Sequence, residues 1–286
     1  DALYDAVRGV QIDLVSNSTA AETTQTQGLT AFNSDGFSLG TLAKVNTSSA
    51  TYAGWTWDAG SSTVTNTSGS ISSQVRANAS AGFSVVTYTG TGANATVGHG
   101  LGVAPGMVIV KRRDTTSNWQ VRHTSIAAAN SIQLNLTNAA ASATTVWNST
   151  VPSSTVFSIG TDATVNASGG TYVVYCFAPV SGYSSFGSIT SNGTSDNAFA
   201  YLGFRPRFLL YKNASATGNW GMYDSSRDPE NVCDNLLLAS SSNAELTSVE
   251  FDFLSNGIKL RYPYTNGNQI VFAAFAESPF NYSRAR

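Results

Sequence analysis

The side chains that could do chemistry are few and widely spaced. Histidine occurs twice, at His99 and His123, and neither has a second His, Cys or carboxylate at metal-ligand spacing. His99 sits in Val97-Gly-His-Gly-Leu-Gly102, which has the glycine content of a nucleotide loop. That run precedes a strand and lacks the following helix and Lys-Ser/Thr, so a close-packed turn is the better reading. No Gly-x-Ser-x-Gly elbow occurs to anchor a Ser/His/Asp nucleophile. Asp58, Asp162, Asp196, Asp252 and Glu277 are scattered acids with no spacing that pairs two of them across a glycosidic bond. Asn33-Ser-Asp-Gly36 offers oxygen ligands, but without the remainder of a calcium loop it reads as an Asp-Gly turn. The expectation is a non-enzyme, with no catalytic residue, no metal and no cofactor.

Aromatic side chains are the stronger candidates for recognition. Trp119 and Trp220 occupy matched positions of an internal repeat, as do Trp57, Phe177 and Phe275. Matched aromatics in divergent copies fill the same core slot, each burying about 150–250 Å². Trp147 in Thr144-Thr-Val-Trp-Asn-Ser-Thr150, Tyr183 and Tyr262-Pro-Tyr264 have no clear counterpart. As exposed loop aromatics beside Asn and Ser, they suit either the apolar face of a sugar ring or the surface of another subunit. Asn-x-Ser/Thr triplets such as Asn17-Ser-Thr and Asn135-Leu-Thr are expected by chance in so Asn/Ser/Thr-rich a chain.

The repeat sets the elements that must position these residues. Pro105-Gly-Met-Val-Ile-Val-Lys111 returns 101 residues later as Pro206-Arg-Phe-Leu-Leu-Tyr-Lys212, and Asn118-Trp119 returns as Asn219-Trp220. Phe32-Asn-Ser-Asp-Gly-Phe-Ser-Leu-Gly40 precedes Tyr52-Ala-Gly-Trp-Thr-Trp57 as Val156-Phe-Ser-Ile-Gly160 precedes Tyr172-Val-Val-Tyr-Cys-Phe177. Leu3-Tyr-Asp-Ala-Val-Arg8 matches Met222-Tyr-Asp-Ser-Ser-Arg227, in the middle of a module, so the first copy lacks the equivalent of residues 186–221. An upstream part or a neighbouring subunit is expected to complete it, because open sheet edges invite pairing.

Strand signals are short and dense: 83–89, 107–111, 119–122, 132–136, 156–159 and 171–178, separated by Gly- and Asn-rich turns. In the last of these, Val173, Tyr175 and Phe177 share one face, matched by Ala53, Trp55 and Trp57, while Tyr172, Val174 and Cys176 share the other. Both faces are apolar, which predicts a central strand covered by a second sheet on one side and another module or subunit on the other. Residues 231–239 could form a short helix at most. The fold class is all-β: tandem antiparallel β-sandwich modules, jelly-roll or immunoglobulin-like, with the first incomplete. The boundaries are 1–60 for the partial module, 61–82 for a linker or edge hairpin, and 83–184 and 185–286 for two complete repeats.

Charged residues make up only 11% and net charge is −2, so there is no electrostatic footprint for nucleic acid or an anionic membrane. No apolar run approaches the ~18 residues of a spanning helix, and no membrane insertion is expected. Cys176 and Cys233 fall at non-equivalent positions and read as independent thiols.

Several of these runs resemble a known family: Leu-Tyr-Asp-Ala-Val-Arg-Gly9, Phe-Asn-Ser-Asp-Gly-Phe-Ser-Leu-Gly40, Val-Gly-His-Gly-Leu-Gly-Val-Ala-Pro105, Asn-Ala-Ser-Gly-Gly-Thr-Tyr-Val173 and the ending Phe-Ala-Glu-Ser-Pro-Phe280. They are similar to repeated domains in virion proteins of marine bacteriophages, especially those infecting cyanobacteria, over nearly the whole chain. Module three departs from the pattern where Asn266-Gly-Asn-Gln269 shortens the segment before the last strand. The resemblance implies a virion location and a tail-fibre or appendage subunit contributing to host attachment. It also implies a homo-oligomer, with a trimer favoured, in contact with other virion proteins and a host surface glycan. It brings no catalytic residues. A capsid, tube or decoration protein without a receptor role, and a carbohydrate-binding adhesin module, stand as alternatives.

Overall fold

A computed structural model describes residues 1–278; residues 279 and 280, which end the Phe-Ala-Glu-Ser-Pro-Phe run, lie outside them. In the first module β1 (Ala2–Asp5), β2 (Gly9–Val15) and β3 (Thr23–Thr24) form a small antiparallel sheet. There β4 (Leu29–Phe32) and β5 (Phe37–Leu39) form a hairpin, and the single turn α1 (Ala43–Asn46) follows. The second contains β6 (Thr63–Asn66), β7 (Ser73–Asn78), β8 (Phe83–Thr89), β9 (Ala95–Gly98), β10 (Met107–Arg112), β11 (Gln120–His123) and β12 (Asn130–Gln133). It continues through β13 (Ala141–Ser142), α2 (Thr144–Trp147), β14 (Val156–Ile159), α3 (Ala163–Asn166) and β15 (Thr171–Phe177). The third contains β16 (Ser184–Thr190), β17 (Phe199–Tyr201), β18 (Pro206–Asn213), β19 (Trp220–Asp224), β20 (Cys233–Leu238), β21 (Leu246–Leu254), β22 (Gly257–Leu260) and β23 (Gln269–Ala276).

The fold is all-β, built of antiparallel sandwich-type layers. Module two has the order β13-β12-β11-β10-β15-β8-β7-β6, backed by the pair β14-β9. Module three has the order β16-β23-β18-β19-β20-β21-β22-β17 and curls until it is nearly closed. The hairpin β6–β7 lies at the edge of the module-two sheet, where Val75 pairs with Val86. Residues 233–238 form a strand, a correction to the short helix read over 231–239: Cys233, Leu236 and Leu238 are buried, and β20 pairs with β19 and β21. Ladder pairing outweighs the helical propensity of its leucines.

The central strand of each complete module is buried on both faces, as its alternation requires. Tyr172, Val174 and Cys176 join the core of module two, with Val86, Val108, Phe157 and Ile159. Ile270, Phe272 and Ala274 do the same in module three, with Leu209, Tyr211, Ile258 and Leu260. The opposite faces, Val173, Tyr175 and Phe177 and then Val271, Ala273 and Phe275, enter one shared core that also takes Leu14 of module one. Cys176 and Cys233 are free and buried in different cores, where burial raises both thiols, Cys233 to about 11.

The shared core explains how the three modules sit together. Trp57, Phe177 and Phe275, one from each repeat, contact one another pairwise at ring separations of 5.9, 5.5 and 5.8 Å. Three matched residues meeting at nearly equal distances is the geometry of a local threefold axis. The neighbouring contacts obey the same rotation. Tyr175, two residues before Phe177, donates to Asp5 of module one at 2.9 Å. Trp55, two residues before Trp57, donates to the matched Asp224 of module three at 3.2 Å. In the third seam the matched position is His123, which faces the carbonyl of Phe272 at 3.0 Å. Trp119 Nε1 donates to the Val15 carbonyl at 3.1 Å, and Trp220 Nε1 to the matched Gln133 carbonyl at 2.9 Å. The modules therefore close into a ring, and the second apolar face of each central strand is covered within the chain.

Truncating Trp57 removes a ring that touches Phe83, Phe177, Phe208 and Phe275 at once. Trp57→Ala should cost about 3 kcal/mol in urea denaturation. A loss within about 0.5 kcal/mol, the range of an ordinary surface substitution, would show that the ring does not depend on it.

Candidate functional site

The Asp–Arg turns at the seams show how this repeat converts local sequence into rigid geometry. In Asp5-Ala-Val-Arg8 the carboxylate accepts the Val7 and Arg8 amides at 3.0 and 2.8 Å. In Asp224-Ser-Ser-Arg227 it accepts the matched amides at 3.0 Å each. His123 replaces the aspartate in module two: its Nδ1 accepts the Ser125 amide at 3.1 Å, so its Nε2–H donates to the Phe272 carbonyl. His99 uses the same device, accepting from Leu101 at 3.2 Å while its Nε2 faces the Ser153 carbonyl at 3.2 Å. The glycine-rich run is thus a turn closed by an imidazole. Gly98 lacks a side chain because a Cβ there would lie 2.0 Å from Asn66 Oδ1.

The scattered acids are each engaged in local structure. Asp58 holds the Gly60 amide and Asn78, and Asp162 caps α3 through the Thr164 amide. Asp196 pairs with Lys259, Asp252 with Arg261 and Glu277 with Arg205. Asn33-Ser-Asp-Gly36 is the connection of the β4–β5 hairpin, with the Asn33 amide on the Gly36 carbonyl at 2.8 Å. Among the described residues no group of three or more His, Cys, Asp or Glu could hold a metal, and no helix is long and apolar enough to cross a membrane.

Of the four aromatics singled out as exposed, three are placed otherwise. Trp147 is 1% exposed in the module-two core. It ends the single turn α2, which buries both Val146 and Trp147, and Asn148 then reverses the chain in the left-handed region (φ 49°). Tyr183 packs edge-on against Phe275 at 6.0 Å, between the shared core and that of module three. Tyr264 is half-buried and donates to Glu250, whose carboxyl burial raises while that bond lowers it. Only Tyr262 is exposed, at 44%. A turn rich in Asn, Ser and Thr does not by itself point an aromatic outward: the one-turn segment α2 carries the core side chains Val146 and Trp147.

The exposed aromatics of module three lie instead along β17, beside β22, with Tyr262 just past the far end of β22. Phe199 and Tyr201 on β17 are 45% and 72% exposed, and Val232 and Val249 are exposed nearby in the same module. Phe199 can lie across the sheet because Gly257 leaves room: a Cβ there would come within 2.7 Å of the phenyl ring. Phe199 pairs in register with Lys259, and Lys259 with Asp252, so one row carries an aromatic, a cation and an anion. Asp196–Lys259 and Asp252–Arg261 neutralise the charges in place. A shallow depression of about 500 Å³ opens beside them, lined by Ser195, Asn231, Val232, Val249, Asp252 and Arg261. The matched residues of module two are small or polar: by strand register Thr96 stands for Phe199 and Gly98 for Tyr201, and Thr161 follows β14 where Tyr262 follows β22. The repeat itself therefore does not require aromatic groups here. Phe199 and Tyr201 were missed because β17 was not among the strands read from the pattern; their lack of aromatic counterparts was the available signal.

Fold and surface together define a repeat-built, all-β protein with one aromatic, ion-paired face. The chain belongs to the family described as a domain of unknown function, DUF7483, whose model matches residues 1–279. No curated protein and no solved structure matches it.

Two outcomes are expected. Tyr262→Ala should change stability by less than about 0.5 kcal/mol, whereas Trp147→Ala should cost about 3–5 kcal/mol, both by urea titration. Burial lowers His123 to about 4 from 6.5. The unfolded chain then binds more protons between these values, so stability present above pH 6.5 is lost as pH falls toward 4, by roughly 3 kcal/mol for this group. His123→Asn keeps an acceptor for the Ser125 amide and should flatten that slope; an unchanged slope would place the proton elsewhere.

Proposed function

We propose that this chain is a non-enzymatic structural subunit of a phage particle, a tail-fibre or appendage protein that contributes to attachment on the host surface. The observation that carries this reading is the module-three face, where Phe199, Tyr201 and Tyr262 are exposed although their module-two counterparts are Thr96, Gly98 and Thr161. Aromatic planes take the apolar faces of sugar rings, while the pairs Lys259–Asp196 and Arg261–Asp252 can trade their hydrogen bonds for hydroxyl groups. The partner of this face is a host glycan. The resemblance to marine phage virion proteins supports the particle context and the contacts with other virion proteins.

Individual contacts of this type are weak, and an oligomeric subunit presented many times on one particle converts them into firm attachment through effective concentration. The apolar second faces that first suggested a partner subunit are satisfied inside the chain. Support for a homo-oligomer, trimeric by preference, therefore comes from the family resemblance and from this avidity requirement. Neither nucleic acid nor membrane insertion has a part in the proposal.

The test is adsorption of phage to cyanobacterial cells in competition with the purified chain, with the mass in solution recorded on the same sample. Binding and blocking by an oligomer, lost in Tyr201→Ala/Tyr262→Ala with stability unchanged, is the expected result. An assembled chain that neither binds nor blocks would assign it to scaffolding.

A further inference from the structure

Module one carries a face that is covered in both other modules and open here. Phe37 and Leu39 on β5 are 40% and 37% exposed, whereas their counterparts Phe157 and Ile159 are 1% and 0% exposed, and Ile258 and Leu260 are both 0% exposed. In module two that face is closed by Val86 and Tyr88 of β8 and by Val108 and Val110 of β10. In module three Leu209 and Tyr211 of β18 contribute in the same way. The backbone repeats the contrast. β15 lies between β10 and β8, and β23 between β18 and β16, while the matched stretch 51–57 belongs to no sheet. Trp55 and Trp57 nevertheless point into the shared core and Tyr52, Gly54 and Thr56 point outward, so the stretch already alternates as a strand does.

The rest of the receiving surface is formed as in its closed counterpart. Tyr52 donates to the Ala43 carbonyl at 3.0 Å and accepts the Thr47 amide at 2.8 Å. Tyr172 makes the matched bonds to Ala163 and Ala167 at 2.8 and 2.7 Å. Asn46 Nδ2 donates to the Gly40 carbonyl at 2.7 Å, as Asn166 does to Gly160 at 2.7 Å. Asn166 goes further: it donates to the Ala93 carbonyl at 2.6 Å and accepts the Thr91 amide at 2.8 Å, both in the loop that leaves β8. Tyr172 also stacks on Tyr88 of β8 at 5.0 Å. Tyr52 and Asn46 present the same groups to solvent.

We infer that this open face of module one is a docking site for a polypeptide strand pair of the repeat's own type. The pair has the pattern of β8 and β10, with an aromatic to stack on Tyr52 and a following Thr-Gly-Ala turn, as at residues 91–93, to engage Asn46. One strand pairs on each side of residues 51–57, as β8 and β10 flank β15, and the apolar side chains cover Phe37 and Leu39. The repeat names the occupant, since the same face is closed twice in this chain by strands of that sequence. The inference stands apart from the attachment reading, which concerns module three.

The probe is a synthetic peptide with the sequence of residues 83–112, added to the full chain and followed by labelled-peptide anisotropy and amide hydrogen exchange. One peptide should bind per chain and slow exchange over residues 51–58 by about tenfold or more. Phe37→Asp, at an exposed position, should abolish binding without loss of the folded signal, and Asn46→Ala should weaken it. A scrambled peptide that protects equally, or no protection by either, would overturn the inference. So would prior protection of residues 51–58 in a peptide-free dimer, which would make a second copy the occupant.

Discussion

Everything in this molecule is arranged around one contact, the mutual packing of Trp57, Phe177 and Phe275. Each lies on the last strand, or strand-like stretch, of its repeat and faces away from that module's own layers. A sheet with both faces apolar cannot stand alone in water, because tens of Å² per side chain would be left exposed. Three such surfaces meeting edge to face satisfy one another, and edge-on aromatic geometry adds about 0.5–1.5 kcal/mol per pair beyond burial. The local threefold follows from repeating one sequence three times and giving each copy the same unsatisfied face.

The seams show how divergence is tolerated around that centre. Tyr175 meets Asp5 and Arg8, Trp55 meets Asp224 and Arg227, and in the third seam His123 stands where the other two have a carboxylate and donates to the Phe272 carbonyl of the central strand. The chemistry of the partner changes, but a ring atom and a polar turn meet in each seam. Because every one of these groups is buried or half-buried and bonded, the seams specify orientation as well as adding stability. Seams of this kind leave the outer surfaces free to vary, and module three has used that freedom to display Phe199, Tyr201 and Tyr262.

Much of this was legible in the sequence, and the reasons are specific. Alternation at Tyr172–Phe177 reports two buried faces because side chains in a strand point to opposite sides, and matched aromatics such as Trp119 and Trp220 report core slots because divergence spares packing. The ring closure was not legible, although the residues that form it had been aligned, because contact between repeats depends on orientations that no local pattern encodes. Trp147 was misplaced for a different reason: it closes a single helical turn that packs Val146 and Trp147 into the core, and Asn-Ser-Thr composition gives no sign of that. Residues 233–238 were misread because the leucines carry both helical propensity and strand burial, and only the flanking strands β19 and β21 decide between them.

The central claim is that the modules share one core and therefore open together. Native-state hydrogen exchange across β15 and β23 tests it most directly, because those strands lie in different modules and both face Trp57. Their slowest amides should exchange with one common opening free energy and one common dependence on denaturant. Opening of β23 at low denaturant while β15 stays protected would contradict the account, and would show three beads that merely touch.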